Sequence, residues 1–287
     1  MKYAVTGSTG KFGQAAIKVL KDTIGSGNII ALARNTDKAK RLFPELEVRP
    51  GSYDLKDQLV TSLTGVSRLL LISSIPGQTV SRVQQHQNVI NAAKQAGVQF
   101  IAYTSFPRAN SAASPLAADH RETEQALRQS GINYAFLRNN WYLENERLFF
   151  NDALANRPFV YSAGNGRVGW ALEREYAEAA AKVLLSDDPK TVYEFSGPQH
   201  DYADLGRALQ VVSGHQFDIT STSDDELRKR LIAMGMKEPA ANRVVSMQQL
   251  IRSGDLDEPS GDLADVLGHS LPTFEDSIKE VLAKLQN

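Results

Sequence analysis

The stretch Lys2-Tyr3-Ala4-Val5-Thr6-Gly7-Ser8-Thr9-Gly10-Lys11-Phe12-Gly13-Gln14-Ala15-Ala16-Ile17-Lys18-Val19-Leu20 decides the fold. It opens on a β-rich run, breaks at Gly7, Gly10 and Gly13, and continues with apolar residues at helical intervals. A strand that turns tightly into a helix needs glycine where the backbone bends sharply or must approach a ligand. The first turn of the helix then leaves free N–H groups and a positive dipole end facing the loop. The three glycines suit that task, at a GxxGxxG spacing that is a variant of the GxGxxG dinucleotide fingerprint.

Outward from this unit, short β-rich runs alternate with helix-patterned stretches. The runs are Lys2 to Thr6, Asn28 to Ala33, Glu47 to Arg49, Arg68 to Ser73, Phe100 to Thr104, Asn133 to Arg138 and Val192 to Ser196. Helical spacing occupies Phe12 to Lys21, Lys38 to Phe43, Leu55 to Leu63, Val80 to Ala96, Ala117 to Gln129, Leu143 to Leu154 and Tyr176 to Leu185. Leu69-Leu70-Leu71-Ile72 is apolar at every position, which suits a strand covered on both faces. The alternation predicts an α/β fold of the Rossmann type, a doubly wound parallel sheet with helices on both sides. After about Gly197 the pattern turns helical, with Tyr202 to Ser213, Asp225 to Met234, Glu238 to Arg252 and Thr273 to Leu285. We therefore expect a nucleotide-binding domain over 1–155, joined by a returning strand near 191–197, and a smaller, mainly helical substrate-side lobe over 156–287.

The second strand ends on Arg34, roughly 20 positions beyond Gly13, where a carboxylate would hold the ribose 2′-OH of NAD. An arginine there pairs with the 2′-phosphate of NADP instead, so the position predicts NADPH, with Asn35 or Lys38 assisting. A literal GxGxxG stands at Gly164-Asn165-Gly166-Arg167-Val168-Gly169, but no helix opens at Gly169 and no second βαβ unit follows, so a hairpin or site loop is expected. In a doubly wound fold the ligand lies outside the carboxyl ends of the strands. Those ends carry Ser73-Ser74-Ile75, Thr104-Ser105-Phe106 and Asn139-Asn140-Trp141-Tyr142, which offer small hydroxyls, amides and flat apolar walls. Acid–base candidates are few. Tyr103 is followed by Pro107 where a Tyr-x-x-x-Lys pair needs lysine, and His86, His120, His200, His215 and His269 show no metal-ligand spacing.

Composition excludes other classes. With 32 Lys plus Arg against 33 Asp plus Glu, the chain lacks the basic footprint of a nucleic-acid binder. With no cysteine it has no disulfide, thiolate nucleophile or cysteine-held metal. No apolar run approaches the roughly 18 residues of a membrane span, and Met1-Lys2 runs directly into the first strand with no room for a leader, so a cytoplasmic location is expected.

The Val5 to Gly13 loop, Ala33-Arg34-Asn35, Leu70 to Ser74, Phe100 to Ser105 and Leu137 to Tyr142 together resemble the NmrA-like branch of the atypical short-chain dehydrogenases/reductases. Within that branch the chain is most similar to the type 2 NAD(P)H:quinone oxidoreductases. The resemblance implies a bound NADPH and two-electron reduction of a quinone. Carried over, the cofactor contacts are Gly7, Ser8, Thr9, Gly10, Lys11, Phe12, Gly13, Arg34, Ser73, Ser74, Ile75, Asn139, Asn140, Trp141 and Tyr142, and the substrate contacts are Phe106, Asn140 and Trp141. No metal and no single catalytic acid is assigned. The expected partner is a small-molecule quinone, without nucleic acid or membrane, and a homodimer is open. The alternative is an NmrA-like regulator that senses NADP(H) without turning it over.

Overall fold

In the computed structural model, which describes residues 1–285, the strands are Tyr3–Val5 (β1), Ile29–Ala33 (β2), Glu47–Pro50 (β3), Arg68–Leu71 (β4), Phe100–Ser105 (β5), Asn133–Asn139 (β6), Phe159–Tyr161 (β7), Val192–Phe195 (β8) and Ile219–Ser221 (β9). The helices are Lys11–Ile24 (α1), Thr36–Leu42 (α2), Lys56–Leu63 (α3), Arg82–Gln95 (α4), Pro115–Ser130 (α5), Arg147–Leu154 (α6), Glu173–Leu185 (α7), Tyr202–Ser213 (α8), Asp224–Ala233 (α9), Glu238–Arg252 (α10), Asp262–Leu267 (α11) and Phe274–Leu285 (α12).

Seven strands form one sheet in the order β3-β2-β1-β4-β5-β6-β8, and every pairing is parallel. This is the doubly wound Rossmann arrangement expected. The order reverses between β1 and β4, so the loops leaving those two strands part at the switch point. Leu69, Leu70 and Leu71 of β4 are all fully buried. Leu69 and Leu71 join a core shared with Leu59 and Leu63 of α3 and Val89 of α4, while strand alternation turns Leu70 to the opposite face, on which α7 packs. Each such leucine contributes roughly 2 kcal/mol of burial. Capping is local: Ser81 starts α4, Ser114 with Pro115 starts α5, and Asp201 with Asp204 forms a capping box on α8.

The chain divides into two compact units, 1–139 with 173–195 and 262–269, and 140–172 with 196–261 and the described residues from Ser270 on. The division falls at Asn139, not at 155 as expected, because the chain after β6 bonds to a later segment of the second unit: Leu143 N–H donates to the Ala171 carbonyl (3.0 Å) and Ala171 N–H to that of Trp141 (3.3 Å). β8, the strand near 191–197, lies in the first unit, the lobe expected over 156–287 also loses α7 and α11 to that unit, and its last two residues lie outside the described ones. Buried Ala177, Ala179, Ala180 and Ala181 make α7 slim enough to lie on the sheet beside α1. The short α11 lies between the stretches read as helical at Glu238 to Arg252 and Thr273 to Leu285. It is tied to β8 by Asp262, which accepts the Glu194 N–H (3.0 Å) and pairs with Lys190 (2.9 Å). The second unit also contains a small parallel sheet of β7 and β9, each strand too short to show periodicity.

At the end of β6, Arg138 grips Glu124 of α5 through Nε (2.9 Å) and Nη2 (2.8 Å), and Glu194 of β8 through Nη1 (2.7 Å). Ser105 of β5 donates to the same Glu124 carboxylate (2.7 Å). The paired carboxylates push the Arg138 guanidinium further up, against the opposing effect of burial. Removing one partner leaves a buried charge uncompensated, so Glu124→Ala is expected to lower stability by about 3–5 kcal/mol in urea denaturation.

Candidate functional site

The glycine loop closes on itself at the end of β1. Gly7 has φ +57°, and a Cβ on Gly13 would stand 2.5 Å from the Gly7 carbonyl oxygen and 2.8 Å from Ser8 Cα. The start of α1 therefore presses against the loop backbone, which only glycine allows. Gly10 caps α1 without a side-chain bond, and its first turn contains no acidic residue. Gly7, Gly10 and Lys11 are exposed, whereas Phe12 and Gly13 are buried. Thin backbone, an uncapped helix start and no competing carboxylate fit a dinucleotide pyrophosphate. Ser8 turns inward: its hydroxyl donates to the Leu32 carbonyl (2.9 Å), joining the loop to the end of β2.

Arg34 follows β2 and is exposed. Asn35, expected to assist it, is the N-cap of α2 and accepts the Lys38 N–H (2.8 Å). Sequence reasoning missed Tyr53, which comes after β3. Its hydroxyl donates to the Ile72 carbonyl (2.6 Å) and lies 2.5 Å from Thr6 Oγ1, which in turn accepts the Ile72 N–H (3.0 Å). Tyr53 thus ties the ends of β1 and β4 together at the switch point. Burial pushes its hydroxyl pKa up, with the nearby Arg34 charge opposing.

After β4, Ser73 N–H donates to Thr104 Oγ1 (2.8 Å) and Ser74 N–H to His86 Nε2 (2.9 Å), so this backbone is held by β5 and α4. Ile75, next along, is 73% exposed. Asn139 at the end of β6 is buried, and Phe106 after β5 is 4% exposed with its ring beside His120. No sequence signal marked His86, since a lone histidine on a helix carries none. A cavity of about 460 Å³ opens at the other edge of the sheet, among Arg68, Phe100 and Asn133, the first residues of β4, β5 and β6. Among the described residues no cluster of His, Cys, Asp or Glu could hold a metal ion.

In the second unit, the Asn140 amide is committed internally. Nδ2 donates to the Leu256 carbonyl (3.0 Å) and Oδ1 accepts the Gly169 N–H (3.3 Å). Trp141 is half-buried, and with Trp170 (3.1 Å) and Tyr202 (2.7 Å) it donates to the buried Glu146 carboxyl. Tyr142 is half-buried and precedes the turn that holds Glu146. The literal GxGxxG has a packing explanation. Gly166 abuts the Ile251 carbonyl and Gly169 the Ser196 hydroxyl, and Val168 bridges to His200, so the segment lies backbone against backbone with no helix start to meet a phosphate. Arg167 donates to the Gln199 carbonyl (2.7 Å).

Residues 7–160 match the family model described as NAD(P)H-binding. The chain is 36% identical to quinone oxidoreductase 2 of Escherichia coli (strain K12) over 281 residues, covering 97% of this chain and 98% of the relative. Among solved structures, the NADPH-dependent quinone oxidoreductase of Escherichia coli in complex with NADPH matches with a TM-score of 0.91 at 36% identity, over 99% of this chain and 100% of that one. The triphenylmethane reductase of Citrobacter sp. matches with a TM-score of 0.91 at 33% identity, over the same shares.

Glu146 has a consequence for stability. Burial pushes its carboxyl up to about 7, against the three donors that favour the charged form. A carboxyl raised on folding contributes stability that is complete below its unfolded value near 4.5 and is lost as pH rises through about 7. At one pKa unit per 1.36 kcal/mol the span is about 3 kcal/mol. We expect the wild-type protein to lose stability between about pH 4.5 and 7 in urea titrations, and Glu146→Gln, neutral throughout, to lack that decline.

Proposed function

We propose that this chain, which belongs to the NAD(P)H-binding family, is an NADPH-dependent oxidoreductase that reduces a quinone by two electrons to the hydroquinone. The observation that carries the reading is the near-full-length likeness to the Escherichia coli quinone oxidoreductase 2. The geometry alone reaches as far as a loop and helix start fit for a dinucleotide. The chemistry that bound NADPH supplies is hydride donation from its nicotinamide ring.

We assign the backbone from Gly7 to Gly13 and the uncapped start of α1 to the pyrophosphate, and Arg34 to the 2′-phosphate. Ser73 and Ser74, held by Thr104 and His86, and exposed Ile75 form a fixed edge beside the loop's parent strand. Asn139 is the amide we assign to the cofactor. Asn140, Trp141 and Tyr142 act through the frame of the second unit, since the Asn140 amide is bonded to Leu256 and Gly169 and Trp141 to Glu146. The lack of a Tyr-x-x-x-Lys pair suits a quinone. Its reduced ring is aromatic, so the anion left by hydride addition takes its proton from water, and the protein's work is alignment and exclusion of bulk solvent.

Purified protein should oxidise NADPH much faster with a benzoquinone or naphthoquinone than without one, followed by absorbance. Binding of NADPH without quinone-dependent oxidation would identify the sensor instead. The likeness to triphenylmethane reductase makes a triphenylmethane dye the second acceptor to assay. Arg34→Ala should raise the KM for NADPH about tenfold or more and leave that for NADH nearly unchanged, because a charge-assisted phosphate contact contributes roughly 1.5–3 kcal/mol.

A further inference from the structure

Beneath the ends of β4 and β5, the first unit buries a line of polar side chains that this assignment leaves without a role. His86 Nε2 accepts the Ser74 N–H (2.9 Å), so the neutral ring carries its proton on Nδ1 and donates to Thr123 Oγ1 (2.9 Å). Thr123 passes its own proton to the Asp119 carbonyl (2.8 Å). The Tyr103 hydroxyl and His120 Nδ1 lie 2.8 Å apart, and with Tyr103 as the donor of that bond the His120 proton stands on Nε2. His120 is 3% exposed, its ring centroid is 6.0 Å from that of Phe106, and among the described residues nothing accepts a hydrogen bond from Nε2. Tyr103 of β5 holds the ring from its Nδ1 side. Burial and the charge of Arg82 keep both His86 and His120 neutral at neutral pH.

We propose that the Nε2–H of His120 is the hydrogen-bond donor to the substrate carbonyl oxygen on which negative charge develops during reduction, with Tyr103 as the positioning residue that fixes its tautomer. The proposal rests on the quinone reading above. The quinone gains two electrons and one proton as hydride, NADPH becoming NADP⁺, and the second proton comes from water. His120 keeps its proton: Tyr103 could replace it only as a buried phenolate, and burial pushes the Tyr103 hydroxyl pKa up. A neutral imidazole so placed polarises the carbonyl without titrating.

Imidazole 15N–1H correlation spectra of the wild-type protein should show His120 neutral with its proton on Nε2 from pH 5.5 to 8. The Nε2 signal should shift when 1,4-naphthoquinone is added with NADP⁺, where no hydride is available. His120→Phe should lower kcat/KM for the quinone about 100-fold and leave the Kd of NADPH within about twofold. His120→Gln, whose amide reaches the Nε2 position, should recover most of the loss. A charged or Nδ1-protonated His120, a signal that naphthoquinone leaves unmoved, or wild-type turnover by His120→Phe overturns the proposal. If naphthoquinone moves the signal but wild-type protein does not reduce it, the quinone reading fails and the His120 donor stands.

Discussion

The carboxyl edge of the sheet depends on the fork between Arg138 and Glu124. A parallel sheet supplies its own hydrogen bonds along the strands, but the last residues of β6 have a partner strand, β8, only four residues long. The bidentate pair closes that end from α5, and the same guanidinium reaches Glu194 of β8, so one side chain locks strand, helix and neighbouring strand. Ser105 of β5 and Arg128 of α5 bring further hydrogen bonds to Glu124. Because the fork is almost dry, the charges are screened little and its geometry is held firmly. Asn139, the residue after Arg138, inherits that rigidity.

Beyond the fork, each unit carries a buried polar centre of its own. In the first, Ser74, His86, Thr123, Tyr103 and His120 are linked in one chain of hydrogen bonds, and the Ser74 N–H fixes the tautomer of His86. In the second, one carboxyl group collects two indoles and a phenol. The two differ in kind. The histidines are kept neutral far from their ordinary range, whereas Glu146 is brought close to neutrality and can change charge under ordinary conditions.

What the sequence makes legible follows from how local each signal is. The opening strand, glycine loop and helix are contiguous, so Gly7 to Gly13 and the strand-to-helix unit around them can be read directly. Leu69 to Leu71 show a strand covered on both faces because all three are apolar. The Asn139 boundary is not legible: Leu143 departs from the sheet because of Ala171, far along the chain. Tyr53 looks like an ordinary loop tyrosine until β1 and β4 bring Thr6 and Ile72 to its hydroxyl. Asn140 looks like a ligand-facing amide until Leu256 appears beside it. Polar side chains in a sequence declare their capacity to bond, and the tertiary fold chooses the partner.

The glycines at 166, 169 and 197 sit where any Cβ would run into the backbone of Ile251, the side chain of Ser196 or the carbonyl of Trp170. Their replacement is barred by volume alone, as firmly as the replacement of Gly13. In any set of related chains, strict retention of glycine at 166 and 169 would therefore record chain-to-chain packing rather than selection for a second nucleotide, and invariance by itself could not tell the two loops apart. What separates them is the helix that follows Gly10 and is missing after Gly169.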